Sequence, residues 1–127
     1  MARILLIFFA GGLGTLMRYG VGLLAGRTLG TTFPFGTLTV NVVGCFFIAV
    51  ITQVALTTEL ISPTLRLTLT TGLIGRLTTY SSFNLETTQF LRDRAWYTGV
   101  VSFSATVLGC FLAGLLGLAV ARRIFGS

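Results

Sequence analysis

The sequence contains no histidine and no lysine, and its three acidic residues, Glu59, Glu86 and Asp93, stand far apart. Catalytic triads, carboxylate pairs and transition-metal clusters are usually built from histidine or from grouped acids and cysteines. The chain offers little from which any of them could be assembled. We therefore expect that the protein is not an enzyme.

Charge of either sign is scarce as well. Charged residues make up 9% of the 127 residues and hydrophobic residues 54%, with a mean hydropathy of +0.92, whereas about a quarter of a soluble domain is charged. This composition indicates an integral membrane protein. At about 20 residues per spanning helix, the length suits four spans, so we expect an all-α protein with a single transmembrane domain over residues 1–127.

The nine arginines give a net charge of +6, but they are scattered along the chain rather than clustered. This pattern suits lipid headgroups and membrane orientation, and it predicts no nucleic-acid partner. The two cysteines, Cys45 and Cys110, lie within apolar runs and show no CxxC spacing. We expect both to be reduced side chains inside helices.

The hydrophobic runs predict spans over approximately residues 4–25, 35–56, 64–90 and 96–120. The third span is the least hydrophobic, and residues 75–79 lack good helix formers, so we expect two half-helices that meet at a break. Asn41 lies about two turns inside the second span, where a bare amide in hydrocarbon is costly. It should face protein, water or a ligand, and an interhelical hydrogen bond is the commoner role for such a residue.

Arginines near the span ends are divided almost evenly between the two sides of the membrane. Four spans place both termini on one side, and orientation follows arginine and lysine near the helix ends. A near balance predicts a weak topological preference, so we hypothesise an antiparallel homodimer. The terminal side holds Arg3, Arg66, Arg122 and Arg123, and the other side holds Arg27, Arg92 and Arg94, with Arg18 not far inside.

Several motifs carry a resemblance to a known family: GTLTVN at residues 36–41, TGLIGRLTTYSSF at residues 71–83, and the glycine-rich first and fourth spans, together with Arg18 and Glu86. Through them the sequence resembles the Fluc, or CrcB, fluoride channels over essentially its whole length. The resemblance implies a passive channel that exports cytoplasmic fluoride and so reduces its toxicity. It also implies a multi-pass protein of the inner (plasma) membrane.

The resemblance further implies an assembly and an ion. The family forms antiparallel, dual-topology homodimers of four-helix subunits, with two fluoride pores and a structural sodium ion at the centre of the dimer interface. Carried over to this sequence, the sodium ligands are the backbone carbonyls of Gly75 and Thr78. Sodium is a hard cation that prefers oxygen ligands, so carbonyls freed by a helix break suit it.

Six side chains are implied as fluoride-pore residues: Asn41, Tyr80, Ser82, Phe83, Thr106 and Cys110. Tyr80 and Phe83 correspond to paired aromatic residues, whose positive ring edges can stabilise a partly dehydrated anion without trapping it. Tyr80 departs from the family's phenylalanine but keeps a ring edge. Cys110 replaces a hydroxyl with a thiol, which is a weaker donor.

Three further residues keep alternative roles at this point. Arg76 follows Gly75 at a position where the family pattern usually has glycine. Its charge either weakens sodium binding or reaches an aqueous vestibule that attracts fluoride; alternatively, residue 76 is an altered position. Arg18 either draws fluoride into a vestibule or extends to the headgroups. Glu86 either lies at the mouth of the pore or, as we favour, pairs with an arginine.

Two other classes of function compete with the channel. A small dual-topology multidrug exporter with four helices needs a membrane-buried carboxylate for proton exchange, and Glu86 is the only candidate for it. A non-transporting scaffold or lysis protein would have no use for Asn41 or for a polar break. Loss of activity on collapse of the proton gradient would favour the exporter.

Overall fold

Helices account for almost all of the computed structural model, which describes residues 1–126. Three of them are long and apolar enough to cross a membrane, namely the first, second and last. The third span is divided into two shorter helices, as expected, and no strand occurs in residues 1–126. In chain order the helices are α1 (Ala2–Leu29), α2 (Phe35–Thr57), α3 (residues 63–77), α4 (Tyr80–Arg92) and α5 (Trp96–Phe125).

The helices begin and end at residues that the sequence marks. Pro34 directly precedes α2, and Gly30, just after α1, has a φ of 85° that favours glycine. Ser62 caps α3, because its hydroxyl oxygen accepts a hydrogen bond of 3.1 Å from the Leu65 amide, and Pro63 occupies the first helical position. α1 and α5 extend beyond the predicted spans, to Leu29 and Phe125.

α3 is not a uniform helix. It starts as an α-helix over Pro63–Leu67, continues as a π-helix over Thr68–Ile74 and closes with a single α-helical turn, Gly75–Leu77. π-helical segments are rare and are found frequently at functional sites. The unusual backbone therefore lies immediately before the expected break.

The break itself consists of Thr78 and Thr79, whose backbones are extended, with ψ angles of 155° and 113°. The Thr79 hydroxyl then caps α4 by accepting a hydrogen bond of 3.1 Å from the Ser82 amide. Residues 75–79 were expected to form the break, but Gly75–Leu77 remains helical. The break is narrower than expected because two residues suffice to redirect the chain when the second of them caps the next helix.

Glycines allow the backbone of one helix to contact the backbone or side chains of its neighbour directly. A methyl group on Gly14 of α1 would collide with the Leu73 carbonyl of α3, and one on Gly117 of α5 would collide with the Phe46 carbonyl of α2. Gly44 of α2 leaves the space that the Thr78 methyl group fills. These contacts hold the break against α2 and hold α2 against α5.

Large apolar side chains face outward, and several polar side chains are buried. Large apolar side chains are exposed along α1 and α5, including Phe8 at 70% and Phe111 at 65%, whereas Asn41, Thr79 and Ser102 are buried. A surface of this kind suits lipid contact, and buried polar side chains inside membrane helices indicate a functional site. The structure is thus that of an all-helical membrane protein whose polar groups converge near the break.

The substitution Gly117→Ala tests the close approach of α2 and α5. The added methyl group would meet the Phe46 carbonyl, and relieving such overpacking costs about 1–3 kcal/mol. Gly114→Ala is the matched control on the same helix, because its methyl group would lie 4.0 Å from the Cys45 carbonyl, in ordinary contact. We expect thermal unfolding in detergent at a lower temperature for Gly117→Ala alone; equal melting temperatures would contradict this packing.

Candidate functional site

Asn41 joins α2 to the break through two hydrogen bonds. Its Oδ1 accepts from the Thr79 amide at 2.8 Å, and its Nδ2 donates to the Thr79 carbonyl at 3.2 Å. Both residues are buried. The extended break leaves the Thr79 amide without a helical acceptor, and an unpaired amide is costly inside a membrane. The Asn41 side chain accepts from that amide and also donates to the Thr79 carbonyl.

A cavity of about 290 Å³ opens beside this pair. Five of the six predicted pore residues line it, contributed by α2, the N-terminal turn of α4 and one face of α5. The sixth, Ser82, does not line it; that residue is half-buried on α4, and its amide bonds to the Thr79 hydroxyl. The lining comprises Asn41, Cys45, Thr78, Thr79, Tyr80, Phe83, Thr106, Val107 and Cys110.

Aromatic rings form one wall of this cavity. The Tyr80 and Phe83 rings lie 5.9 Å apart between centroids at an interplanar angle of 73°, an edge-to-face arrangement. Phe83 is buried, whereas Tyr80 is 79% exposed in the single chain. Phe103, which we expected to be a lipid or core contact, stacks on Phe83 at 5.8 Å and 28°. The stacked ring supports Phe83 from behind.

A second, polar cavity of about 210 Å³ lies on the other side of the break. It shares Thr78, Thr79 and Tyr80 with the first cavity and adds both arginines of uncertain role, Arg18 and Arg76. Arg18 lies about three turns before α1 ends, and its Nε is buried without a hydrogen-bond partner among residues 1–126. Arg18 thus lines the polar cavity.

Arg76 is exposed, and its aliphatic stem runs across α1. A Cβ on Gly11 would lie 3.3 Å from the Arg76 Cγ, so a side chain there would require the Arg76 stem to shift slightly. Arg76 also lines a large apolar groove of about 750 Å³ between α1 and the π-helical part of α3. Its charge is therefore available at the polar cavity while its stem packs on α1.

The carbonyls of Gly75 and Thr78 have lost their usual helical donors. In an uninterrupted α-helix they would accept from the amides of Thr79 and Ser82 respectively. The Thr79 amide donates to Asn41 instead, and the Ser82 amide donates to the Thr79 hydroxyl. Both residues line the polar cavity. These two predicted sodium ligands are thus oxygen acceptors that a hard cation could use.

Glu86 has a different partner from the one we favoured. Its Oε2 accepts a hydrogen bond of 2.9 Å from the Thr37 hydroxyl, and its Oε1 is buried without a partner among residues 1–126. The carboxylate does not pair with an arginine in that part of the chain, where the single ion pair joins Arg92 and Asp93 at the surface. Within residues 1–126, α4 turns Glu86 towards α2 and Thr37 rather than towards an arginine.

Sequence reasoning missed three residues of the site: Thr37, Cys45 and Thr79. Thr37 and Cys45 lie one helical turn on either side of Asn41. A search of the apolar helix for polar residues at intervals of four would have found both. Thr79 carries the hydroxyl that caps α4. Its role depends on where the helix breaks, which the sequence placed only within five residues.

The structure combines three apolar helices with a helix that is broken at Thr78 and Thr79, and cavities lie on both sides of that break. This arrangement is that of a small multi-pass membrane protein and is typical of channels and transporters. The model of the family described as CrcB-like protein, Camphor Resistance (CrcB), matches residues 5–118. The chain belongs to this CrcB family.

Relatives match over full length. A protein of Sorangium cellulosum named fluoride-specific ion channel FluC is 48% identical over 127 residues, covering 100% of both chains. Proteins with the same name from Geobacter metallireducens and Anaeromyxobacter dehalogenans are 45% and 41% identical and cover 98% and 99% of this chain and 100% of their own. These names are those of ion channels, so the expectation of a non-enzymatic protein is confirmed.

The substitution Asn41→Leu tests the link between α2 and the break. Leucine has a similar size but cannot bond to Thr79, and leaving the buried Thr79 amide unsatisfied costs about 1–3 kcal/mol. We expect a lower melting temperature and faster hydrogen exchange of the Thr79 amide. Asn84→Leu, an exposed position on α4, should change neither. Unchanged exchange at Thr79 would show that Asn41 does not hold the break.

Proposed function

We propose that this protein is a passive, fluoride-selective channel that exports cytoplasmic fluoride across the inner (plasma) membrane. The observation that carries the proposal is the cavity of about 290 Å³ in which the edge-to-face pair of Tyr80 and Phe83 meets the Asn41 amide and the Thr106 hydroxyl. The names of the full-length relatives identify fluoride as the candidate ion.

The chemistry of this cavity suits a small anion that must leave again. Ring edges carry partial positive charge, and the Asn41 amide has two N–H donors, of which Thr79 occupies one. The arginines line the other cavity. Fluoride would therefore exchange its water for weak donors without meeting a fixed positive charge that would hold it, as conduction requires.

The direction of flow follows from the membrane. Fluoride enters cells as the neutral acid and is left as the anion at cytoplasmic pH, so a negative-inside potential drives it outward through a passive pore. The sequence carries no phosphate-binding loop and no relay of protonatable groups. The proposed channel therefore needs neither a nucleotide nor a coupled proton.

Fluoride efflux from liposomes, measured with a fluoride electrode, tests this function. We expect efflux from the unmodified protein and, because Phe83→Ile removes the buried ring edge, a loss of about tenfold, equivalent to about 1.4 kcal/mol. Phe111→Ile, an exposed phenylalanine on α5, is the control and should conduct normally. Absence of fluoride efflux from the unmodified protein, with or without chloride efflux, would overturn the proposal.

The proposed working unit is an antiparallel homodimer with two pores and a structural sodium ion between the subunits. Freed carbonyls at Gly75 and Thr78 support the ion, since they supply oxygen ligands without adding charge. When bound, sodium would be coordinated by these carbonyl oxygens and would tie the subunits together at the interface. The exposed apolar faces of α1 and α5 leave ample surface for a second subunit and for lipid.

Arg76 lies beside these carbonyls, and like charges repel strongly at low dielectric. We expect that Arg76→Gly raises the affinity for sodium, so that stability in detergent saturates at a lower sodium concentration, with N-methylglucamine as the replacement cation. Arg94→Gly is the matched control, because it removes one positive charge from a surface turn where φ is 59°. Identical sodium dependence in Arg76→Gly and the unmodified protein would remove any role of Arg76 at the ion.

A further inference from the structure

The two cysteines of the chain meet in one cavity. Cys45 of α2 and Cys110 of α5 both line the cavity of about 290 Å³. Both are free thiols. Cys45 follows Asn41 by one helical turn, and Cys110 follows Thr106 by one turn. Two helices therefore each contribute a polar group and then a thiol to the same wall.

The packing of α2 against α5 fixes this juxtaposition. A Cβ on Gly109 would lie 3.4 Å from the Val42 Cγ2, and one on Gly114 would lie 4.0 Å from the Cys45 carbonyl. These ordinary van der Waals contacts lie on both sides of Cys110 along α5, so α5 packs against α2 where both cysteines line the cavity.

The donor set excludes most metals. Zinc and iron usually take three or four protein ligands, and residues 1–126 contain no group of three among histidine, cysteine and acidic side chains. Two thiolates without further ligands suit a soft cation that binds two ligands in a line. For mercuric ion the balance is two thiols plus one Hg²⁺ giving one S–Hg–S bridge and two released protons.

The net charge of the bridge matters because the cavity is apolar. The bridge formed from two thiolates and a divalent cation carries no net charge, so it avoids the cost of burying an ion at low dielectric. A monovalent soft cation would leave one negative charge. The surroundings therefore favour a divalent, thiophilic, two-coordinate metal.

We propose that Cys45 and Cys110 form a two-thiolate site for a soft divalent cation within this cavity, and that occupation of the site obstructs the passage of fluoride. The bridge would sit one helical turn from both Asn41 and Thr106, within the space that the anion must cross. The effect on flux rests on the proposed function, whereas binding of the metal does not.

Binding is tested on the full-length protein in detergent, with mercuric chloride as the probe. We expect one mercury per subunit by native mass spectrometry, with both thiols protected from an aromatic disulfide reagent. We compare the concentration of a monothiol competitor that removes mercury from each protein. Because Cys45→Ser and Cys110→Ser lack the second ligand, we expect that concentration to be at least 100-fold lower for each of them than for the unmodified protein. Two mercury ions per subunit, or equal retention by the single variants, would overturn the site.

Cys45→Ala and Cys110→Ala serve as second variants, and size-exclusion chromatography selects those that remain folded. Efflux is expressed as a fraction of each protein's own rate before mercury, because Cys110 is itself a predicted pore residue. We expect block of the unmodified protein, reversed by a dithiol but not by dilution, and little block of the variants. Mercury bound at one per subunit with unchanged efflux would overturn obstruction; absence of efflux before mercury would overturn the proposed function instead.

Discussion

The pairing of the Asn41 amide with both backbone groups of Thr79 is the interaction on which the remaining structure depends. A chain that leaves helical geometry inside a membrane must find partners for the groups it frees. Asn41 provides them from a neighbouring helix, which fixes the position of the break as well as its cost. Because the Thr79 amide donates to Asn41, the Gly75 carbonyl has no helical donor. Because the Ser82 amide donates to the Thr79 hydroxyl, the Thr78 carbonyl has none either. The Asn41 side chain thus bonds to Thr79 at the point where the two cavities meet.

The glycines serve the same arrangement. Gly44 receives the Thr78 methyl group, and Gly14 lets α1 contact the backbone of α3 just before the break. In lipid, helices gain little from the hydrophobic effect and associate through close packing and hydrogen bonds. The small residues therefore do more than bring helices together. They place the polar break at a defined depth between α1 and α2, where its two faces open into separate cavities of different character.

Much of this could be predicted from the sequence because its signals are local. Hydropathy placed the long helices to within a few residues, the Ser62–Pro63 cap was visible as a motif, and five of the six predicted pore residues share one cavity. The rest depends on contacts between distant residues. The partner of Asn41 lies 38 residues away, and Glu86 meets Thr37 across 49. The π-helix also escaped prediction, since no residue pattern distinguishes Thr68–Ile74 from an ordinary helical segment.

That π-helix determines how the residues that follow it are rotated around the helix axis. Each residue of an α-helix turns the chain by about 100°, so the wider turns of Thr68–Ile74 rotate Gly75, Arg76 and the break relative to the face that begins at Pro63. Wound as a regular α-helix, the same residues would carry the downstream carbonyls roughly a quarter turn further around the axis. The winding of the backbone between Pro63 and Thr78, rather than any single side chain, therefore determines which way the break faces.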